Sequence, residues 1–537
     1  MKSPRVRDGG KRSPITPETP SDARSGAAGD RVVLAVECVI VLALWLLFVR
    51  SLGYPAVMLG YDSIRDIATA HGIARGQWAM DPMLHGQPAW YPPGMPALFA
   101  LAARVSGAGV AAAYASAAWW QAWINPLVLF LLVRGVWGRT AAWAALACVL
   151  VGSRWWMVHA AVPMASVQSV ALTLATLAAW HRAASRGGRW IVCTGLLAAA
   201  ALWCHLLCAG VALGAIAVHA AGALLLGRVD GERPGKALAA RAAAVAAIAL
   251  SLGAPPLLRH LLAERLNDVP THWFGPELHD PRFALHAYAP LVVLFGLFGI
   301  VRSVRDWRRT GWLAGGFAFA LVGSLLGYAG HDLGWRLPWA LPHEFQWHEQ
   351  LLLMIAAGAG IAALARDVAR RTSPRARWAV AAAALVVAVG PALPQLKEAN
   401  GYLLRIGPDW APILGTADWL DRHAAPDAVV AAPMGAGYFV CGLSGRRAVT
   451  LPSGHLNPAV DPAPRARDLE AMLSATSEST FVALARTHHV DYLLATNDRA
   501  PQALLHERYA GWKSLKQVYQ SDSLAVLYEV RTAIAQR

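Results

Sequence analysis

The feature that most constrains the fold is a series of apolar runs that fills most of the chain before residue 395. Most runs are roughly 17–25 residues long, enough to cross the ~30 Å hydrocarbon core of a bilayer as a helix. Only 15% of the residues are charged, against ~25% in an ordinary soluble protein, and the mean hydropathy is +0.39. The chain is therefore predicted to be a polytopic α-helical membrane protein. The predicted spans lie at Val32–Val49 and near 109–133, 140–158, 163–180, 190–205, 207–227, 239–257, 287–301, 311–329, 350–365 and 378–394.

Two segments decide the number of spans. The run 190–227 is too long for one helix, so it is predicted to form a hairpin of two helices with its turn near His205. Tyr91–Val105 is predicted to be an interfacial helix in the first outer loop, opened by the pair Pro92-Pro93, rather than a full span. With these assignments the chain has about 11 transmembrane helices.

Basic residues set the predicted orientation. The net charge is +15, but the arginines and lysines are spread over short loops instead of forming one basic surface, so no nucleic-acid partner is indicated. With these spans, every basic loop falls on the side of the Arg-rich amino terminus, which is predicted to be cytoplasmic. The clusters are Arg134/Arg139, Arg182/Arg186/Arg189, Arg228/Arg233/Lys236/Arg241, Arg302/Arg305/Arg308/Arg309 and Arg366/Arg370/Arg371/Arg375/Arg377.

Composition divides the chain into three parts. Residues 1–30 are rich in Pro, Ser, Arg and Gly and are expected to form a disordered cytoplasmic tail. Residues 31–394 form the predicted transmembrane domain, with a first outer loop at 50–108. Residues 395–537 have ordinary polarity and are predicted to form an extracytoplasmic α/β domain. Its predicted strands are Ala428–Ala432, Arg447–Leu451, Val490–Ala495 and Leu524–Val530, and its predicted helices include Ile413–His423 and Ala466–Leu473.

The chemistry-bearing segment follows the first span. Asp62 and Asp66 are four residues apart, so on a helix both carboxylates face the same way, with Arg65 beside them. A carboxylate there can act as a general base towards a hydroxyl. The alternative is structural: Asp62 would cap a helix that runs on through Ala74.

Two motifs in this region resemble those of the membrane-integrated GT-C glycosyltransferases, particularly bacterial members and the related protein mannosyltransferases. The resemblance is good over roughly residues 32–180, where the cytoplasmic end of the second span, Leu131–Ala142, also fits. The adjacent Asp-Glu pair of the protein mannosyltransferases and the Trp-Trp-Asp signature of the oligosaccharyltransferases are absent. The matching motifs are Asp62-Ser63-Ile64-Arg65-Asp66-Ile67-Ala68-Thr69-Ala70-His71-Gly72-Ile73-Ala74-Arg75-Gly76 and Tyr91-Pro92-Pro93-Gly94-Met95-Pro96-Ala97-Leu98-Phe99-Ala100.

The resemblance implies an inverting glycosyltransferase that moves a sugar from a polyprenyl-phosphate carrier to an acceptor hydroxyl. Carried over to this chain, Asp62 is the catalytic base. Asp66, which with Ile67 stands where the family commonly has an aromatic residue, is named beside it as a second candidate catalytic carboxylate because of its spacing. The leaving phosphate needs cations, for which the resemblance and the outer loops offer Arg336, His348, Arg65 and Arg259. The expected substrate loop comprises Tyr91, Pro92, Pro93, His343 and Glu344.

Other interpretations of these segments stay open. The His- and Trp-rich cluster around Arg336 and His348 is equally typical of an interfacial belt at the lipid headgroups. His343-Glu344 does not begin a zinc-protease motif, because the next histidine, His348, follows five residues on and not four. The cysteines show no metal-ligand spacing or disulfide framework. No metal site is predicted, although the need for a divalent cation such as Mg²⁺ or Mn²⁺ is left open.

Three functions remain for the whole chain: a glycosyltransferase, a transporter or flippase of a lipid-linked saccharide, and a non-catalytic membrane scaffold. A transporter is expected to show internal repeats and charges in mid-span, whereas here the charges lie almost entirely at span ends and no repeat is evident. The expected partners are a polyprenyl-phosphate-linked sugar donor, a glycan, lipid or protein acceptor, and the bilayer of a bacterial plasma membrane.

Overall fold

The structure, a computed structural model, describes residues 20–51, 61–153, 156, 160–229, 234–264, 289–333, 342–392, 411–452, 455–496, 508–509, 511–521 and 525–531. Residues up to 392 in this set are mostly helical, and those from 411 onward combine helices with a small sheet. The predicted tail at 1–30 lies largely outside the described residues. Division into a membrane domain and an extracytoplasmic domain stays a prediction.

The helices of the first part follow the predicted apolar runs. They are α1 (Pro20–Ser51), α2 (Tyr61–Ala74), α3 (Gly94–Ser106), α4 (Val110–Ala115), α5 (Ala117–Trp120), α6 (Ile124–Trp137), α7 (Arg139–Val151), α8 (Ala165–Gln168), α9 (Val170–Arg186), α10 (Arg189–Cys204), α11 (Leu206–Val229), α12 (Pro234–Glu264), α13 (Pro290–Arg305), α14 (Trp307–Asp332), α15 (Pro342–Arg371) and α16 (Ala376–Val389).

Among the described residues, five helices are long and apolar enough to cross a membrane: Gly29–Ser51, Leu206–Leu226, Gly235–Ala263, Trp307–Gly330 and His343–Arg371. Shorter apolar helices, among them α7, α10 and α16, accompany them. The protein is therefore an integral membrane protein, and the predicted number of spans stays a prediction.

The predicted break at His205 is confirmed. His205 has extended backbone angles, φ −161° and ψ 120°, and separates α10 from α11. Helix α3 begins directly after Pro93 and has 13 residues. At 1.5 Å per residue it is about 20 Å long, too short to cross a bilayer perpendicularly. This length agrees with the prediction of an interfacial helix, although the proline pair precedes the helix rather than occupying its first turn.

A buried ion cluster holds the first span to its neighbours. Glu37 of α1 is completely buried, and its carboxylate accepts a 2.7 Å bond from Arg134 Nε and pairs with Arg139. These arginines end α6 and begin α7, so one carboxylate joins three helices at the end predicted to be cytoplasmic. Removing one partner of such a buried cluster leaves an uncompensated charge, which is strongly destabilising.

In its described residues, the second part combines four helices with five strands. Its elements are α17 (Ala411–His423), β1 (Val429–Ala431), α18 (Met434–Ser444), β2 (Arg447–Ala448), α19 (Pro462–Ser474), α20 (Glu478–Thr487), β3 (Val490–Thr496), β4 (Leu515–Ser521) and β5 (Ala525–Val530). The strands form a mixed sheet of order β2-β1-β3-β5-β4. Strand β1 is parallel to both β2 and β3, whereas β5 pairs antiparallel with both β3 and β4.

The first outer loop packs directly on this C-terminal unit. Ile64 and Ile67 of α2 share one hydrophobic core with Tyr438 and Leu443 of α18. The loop backbone also extends the sheet, because the Ala448 N–H of β2 donates to Met83 O at 2.8 Å. The loop and the C-terminal unit therefore form one packed body.

Glycines let α18 approach α2 closely. A Cβ at Gly442 would overlap the Ile64 side chain and lie 2.9 Å from the Ile64 carbonyl oxygen. One turn later Gly445 ends α18 in the left-handed conformation, with φ 64°, and faces His71. Since the atoms in the way at Gly442 belong partly to the backbone, no side-chain rotation can make room for a larger residue.

We therefore expect Gly442→Ala to loosen the contact between α2 and the C-terminal unit. The strain of inserting a methyl group into a packed site is about 1–3 kcal/mol. The matched control is Gly435→Ala on the same helix, where a Cβ would meet nothing within 4 Å. Limited proteolysis of detergent-solubilised protein should cleave the Gly442→Ala variant faster than wild type and leave the Gly435→Ala variant unchanged. Equal protection of both variants would contradict the close contact.

The orientation gives a second prediction. A reporter that is active only outside the cytoplasm should be active when fused after Arg537 and inactive when fused after Arg186, because Arg186 ends α9 within a basic loop. Comparable amounts of both fusions must be present in the membrane fraction. The opposite activity pattern would reverse the orientation and place the first outer loop in the cytoplasm.

Candidate active site

Helix α2 carries the predicted carboxylates at the start of the first outer loop. Asp62 lies in its first turn with 36% of its side chain exposed, whereas Asp66, one turn on, is 1% exposed. Arg65 lies between them: its Nη2 is 3.8 Å from Asp62 Oδ1, and its Nε is 3.9 Å from Asp66 Oδ1. The structure thus brings together both predicted carboxylates and one predicted cation, but only Asp62 is accessible.

Asp66 makes a structural contact. Its Oδ2 accepts a 2.8 Å hydrogen bond from the backbone N–H of Ala165, the first residue of α8. Burial raises the pKa of Asp66 to about 7, although Arg65 and the Ala165 N–H act in the opposite direction. Asp66 therefore joins α2 to the segment before α9 and has no open path to a substrate.

Asp62 has the opposite electrostatic character. Partial burial alone would raise its pKa, but the positive charge of Arg65 and contributions from nearby histidines outweigh burial, and the net pKa lies below the usual value. Asp62 is therefore ionised at neutral pH and able to accept a proton or a hydrogen bond. The contributing histidines are His455, His343 and His205.

Arg65 is held by aromatic rings. Its guanidinium carbon lies 3.8 Å from the centre of the Tyr91 ring and 5.7 Å from that of Trp90. Cation–π contacts of this kind fix the guanidinium without neutralising it. An open cleft beside Arg65 is lined by Thr69, Asp81, Pro82, Met83, Ala89, Trp90, Tyr91 and His455.

A histidine of the C-terminal unit completes the surroundings of Asp62. His455 Nδ1 lies 3.4 Å from Asp62 Oδ1, and its ring stacks on Tyr438 with centroids 4.6 Å apart and planes 19° apart. The sequence analysis did not select His455, because it is more than 390 residues from Asp62 and lies in no motif. Only the packing of α2 against α18 brings them together.

Asp81, in the loop between α2 and α3, and Asn457, in the C-terminal unit, form a second link between these two parts. The sequence analysis did not pair them. Asp81 Oδ1 accepts from the backbone N–H groups of Met83 and Leu84, at 2.8 and 3.0 Å, and Oδ2 accepts from Asn457 Nδ2 at 2.9 Å. Burial raises the pKa of Asp81 to about 6 despite these hydrogen bonds. The signal available in the sequence was Asp81-Pro82, a turn-forming pair.

The start of α15 lies near Asp62. His343 and Glu344 both interact electrostatically with Asp62. His348 is buried one turn further along, where its Nδ1–H donates to Glu344 O at 3.0 Å. Its Nε2 has no hydrogen-bond partner among the described residues, so this nitrogen is available to a ligand.

The remaining predicted residues fall into three groups. Pro92 and Pro93 are buried, and the following Gly94 packs against the end of α10, so they shape the loop rather than face the cleft. Arg259 is exposed, and its Nη1 donates to Trp78 O at 3.5 Å, at the edge of the site. Arg336 lies outside the described residues.

No group of three or more His, Cys, Asp or Glu side chains within the described ranges is arranged to hold a metal ion. The guanidinium of Arg65, a cation, lies between the carboxylates of Asp62 and Asp66, where a metal ion would have to bind. The residues described here therefore do not fit a divalent cation between Asp62 and Asp66.

No protein-family profile and no curated protein matches the chain. Solved structures do match. The oligosaccharyltransferase of Archaeoglobus fulgidus in its apo form is 12% identical with a TM-score of 0.55, covering 86% of this chain and 69% of that one. ArnT from Cupriavidus metallidurans bound to undecaprenyl phosphate is 15% identical with a TM-score of 0.53, covering 94% and 98%.

A third match is the arabinofuranosyltransferase AftD from Mycobacteria, 14% identical with a TM-score of 0.56. The match covers 92% of this chain but 41% of AftD. All three proteins are GT-C glycosyltransferases, so the fold implied by the resemblance is confirmed. Identities this low establish the fold, and the roles of the residues around Asp62 rest on the geometry given above.

Asp66 gives a prediction about stability. Asp66→Ala removes the acceptor for Ala165 N–H, which should lower the free energy of unfolding by about 1–3 kcal/mol. Asp66→Asn keeps an oxygen acceptor and should stay within about 1 kcal/mol of wild type. Thermal unfolding in detergent measures both. A destabilised Asn variant beside a stable Ala variant would contradict the hydrogen-bonding role.

Proposed function

We propose that this protein is an inverting glycosyltransferase that moves a sugar from a polyprenyl-phosphate carrier to an extracytoplasmic acceptor hydroxyl of a glycan, lipid or protein. The observation that carries the proposal is the ionised, partly exposed carboxylate of Asp62 beside the buried cation Arg65. A charged pair at this position is costly to keep at the mouth of a membrane-embedded fold, and such groups commonly mark functional sites.

The chemistry follows from the charges. Asp62 accepts the proton of the acceptor hydroxyl as its oxygen attacks the anomeric carbon of the donor. The bond between that carbon and the phosphate oxygen breaks, and its electron pair leaves with the polyprenyl phosphate. Attack from the face opposite the leaving group inverts the anomeric configuration. The proton stays on Asp62 until solvent removes it.

The leaving phosphate requires positive charge or hydrogen-bond donors. Arg65 supplies a fixed guanidinium next to Asp62. His348 supplies a second donor, Nε2–H, only in its protonated form, because the single proton of the neutral ring is on Nδ1, which donates to Glu344 O. A guanidinium can bind a phosphate through two parallel hydrogen bonds. Arg259 and Arg336 stay candidates for contacts with the carrier at the edge of the site. The solved structure of ArnT contains undecaprenyl phosphate, a carrier of the proposed class.

A single substitution tests the proposal. Asp62→Asn preserves the shape of the side chain but removes its ability to take a proton, so transfer should fall about 100-fold or more. Membranes that contain the protein are supplied with labelled polyprenyl-phosphate sugars, and label in the acceptor fraction is measured.

The matched control is Asp66→Asn, one helical turn away, which should retain most of the transfer activity because Asp66 is buried and contacts Ala165. Equal amounts of each variant must be present in the membranes. If Asp66→Asn abolishes transfer and Asp62→Asn does not, the base is assigned to the wrong turn of α2. Passage of labelled donor across the membrane without transfer would instead favour a transporter.

A further inference from the structure

The contact between His455 and Asp62 joins the C-terminal unit to the partly exposed carboxylate of α2. His455 follows β2 in the chain, and Tyr438 of α18 stacks on its ring, so both the histidine and the ring that supports it come from the C-terminal unit. The ring is 16% exposed and cannot turn away without losing the stack on Tyr438. The position of His455 is therefore set by the domain, and not by Asp62.

The protonation state of His455 follows from its surroundings. Burial lowers the pKa of His455 to about 4, although Asp62 acts to raise it. The imidazole is therefore neutral at pH 7, and the pair is not an ion pair there. A neutral imidazole whose Nδ1 faces a carboxylate can donate Nδ1–H to it. The separation of 3.4 Å is longer than that of a formed N–H···O hydrogen bond, and catalytic hydrogen bonds of this kind shorten when the substrate binds.

Both close contacts of Asp62 within the described residues are made by the same oxygen. Arg65 Nη2 and His455 Nδ1 lie 3.8 and 3.4 Å from Oδ1. A carboxylate held through one oxygen presents the other in a fixed direction. Oδ2 makes no such contact with a described residue, which leaves this oxygen for the acceptor hydroxyl of the proposed reaction.

We propose that His455 is a positioning residue, which holds Asp62 by a hydrogen bond from Nδ1 so that Oδ2 is directed at the acceptor. This inference rests on the proposed function. It also means that the membrane helices alone do not form a complete site, because one side of Asp62 is supplied by the C-terminal unit.

Three substitutions at one position test the inference. Asn places its amide nitrogen near the position of Nδ1, whereas Gln places its amide nitrogen near Nε2, and Ala has neither. A hydrogen bond to a charged group corresponds to about 10- to 100-fold in rate when it acts in the transition state. We expect His455→Ala and His455→Gln to lower kcat by about 10- to 100-fold, and His455→Asn to stay within about fivefold of wild type.

The split between kcat and KM separates positioning from substrate binding. The KM for the polyprenyl-phosphate sugar should change less than about threefold in all three variants, because His455 orients the base and does not hold the carrier. His488→Ala is the matched control. His488 lies in the same C-terminal unit, where it pairs with Asp468 at 2.8 Å, and its loss should leave transfer unchanged.

The pH profile gives a readout that a purely structural role would not change. Loss of a hydrogen bond to the charged form raises the pKa of Asp62, so the acidic limb of kcat/KM should move to higher pH in His455→Ala and His455→Gln. His455→Asn should restore the wild-type limb. Several titratable and charged groups of the described residues interact with Asp62. They are Arg65 and Asp66 of α2, Tyr91 before α3, His205 between α10 and α11, His343 and Glu344 of α15, Tyr438 of α18, and His455.

The outcomes distinguish this inference from the proposed function. If wild type transfers the sugar, Asp62→Asn does not, and His455→Ala is fully active, the positioning role alone is overturned. Equal losses in His455→Asn and His455→Gln would overturn the Nδ1 hydrogen bond. No transfer by wild type from any polyprenyl-phosphate sugar would overturn the proposed function and this inference together. Proteolysis patterns identical to wild type show that each variant is folded.

Discussion

The packing of α2 against α18 is the contact on which the candidate site depends. At Gly442 the two helices approach so closely that no side chain fits between them, and the pairing of Met83 with Ala448 adds the outer-loop backbone to the sheet. Arg75 strengthens the same contact, since its guanidinium donates to Gly445 O at 2.7 Å and to Asp421 Oδ1 at 3.1 Å. With this contact in place, His455 and Asp62 are neighbours. Without it, Asp62 keeps only the partners of its own loop and of the membrane helices.

The charges around Asp62 are arranged so that neighbouring carboxylates take different roles. Asp62 and Asp66 share Arg65, but burial raises the pKa of Asp66 while the surroundings lower that of Asp62. Two neighbouring carboxyl groups whose environments shift their pKa values in opposite directions are a recurring feature of sites in which one group is ionised while the other holds a proton more readily. The tyrosine stacked on Arg65 keeps the cation in place without adding a negative charge at neutral pH.

Local sequence patterns predicted the helices and strands, because the formation of these elements depends mainly on the order of apolar and polar residues within each segment. Apolar runs located the helices, the break at His205 was placed correctly, and strands β1, β2, β3 and β5 lie within or close to the predicted segments. Helix α18 and strand β4 were missed, because Met434–Ser444 is uniformly apolar and Leu515–Ser521 is mostly polar, so neither shows a clear period. Asp62 and Arg65 were found through a motif within one helix. His455, Tyr438 and Asn457 join the site only through tertiary contacts over more than 300 residues, which no local pattern encodes.

The sequence of α2 explains how this short helix packs against the C-terminal unit on one side and carries polar side chains on another. Ile64, Ile67 and Ala68 are completely buried and lie against the C-terminal unit and the neighbouring loop helices. Arg65 and Thr69, four residues apart, line the cleft, and Asp62 precedes them on the same side by three. A helix of 14 residues has about four turns, so each stripe presents three or four side chains. The apolar stripe fixes the rotation of α2 against the C-terminal unit, and that rotation places Asp62 beside His455 and Asp66 against the N–H of Ala165.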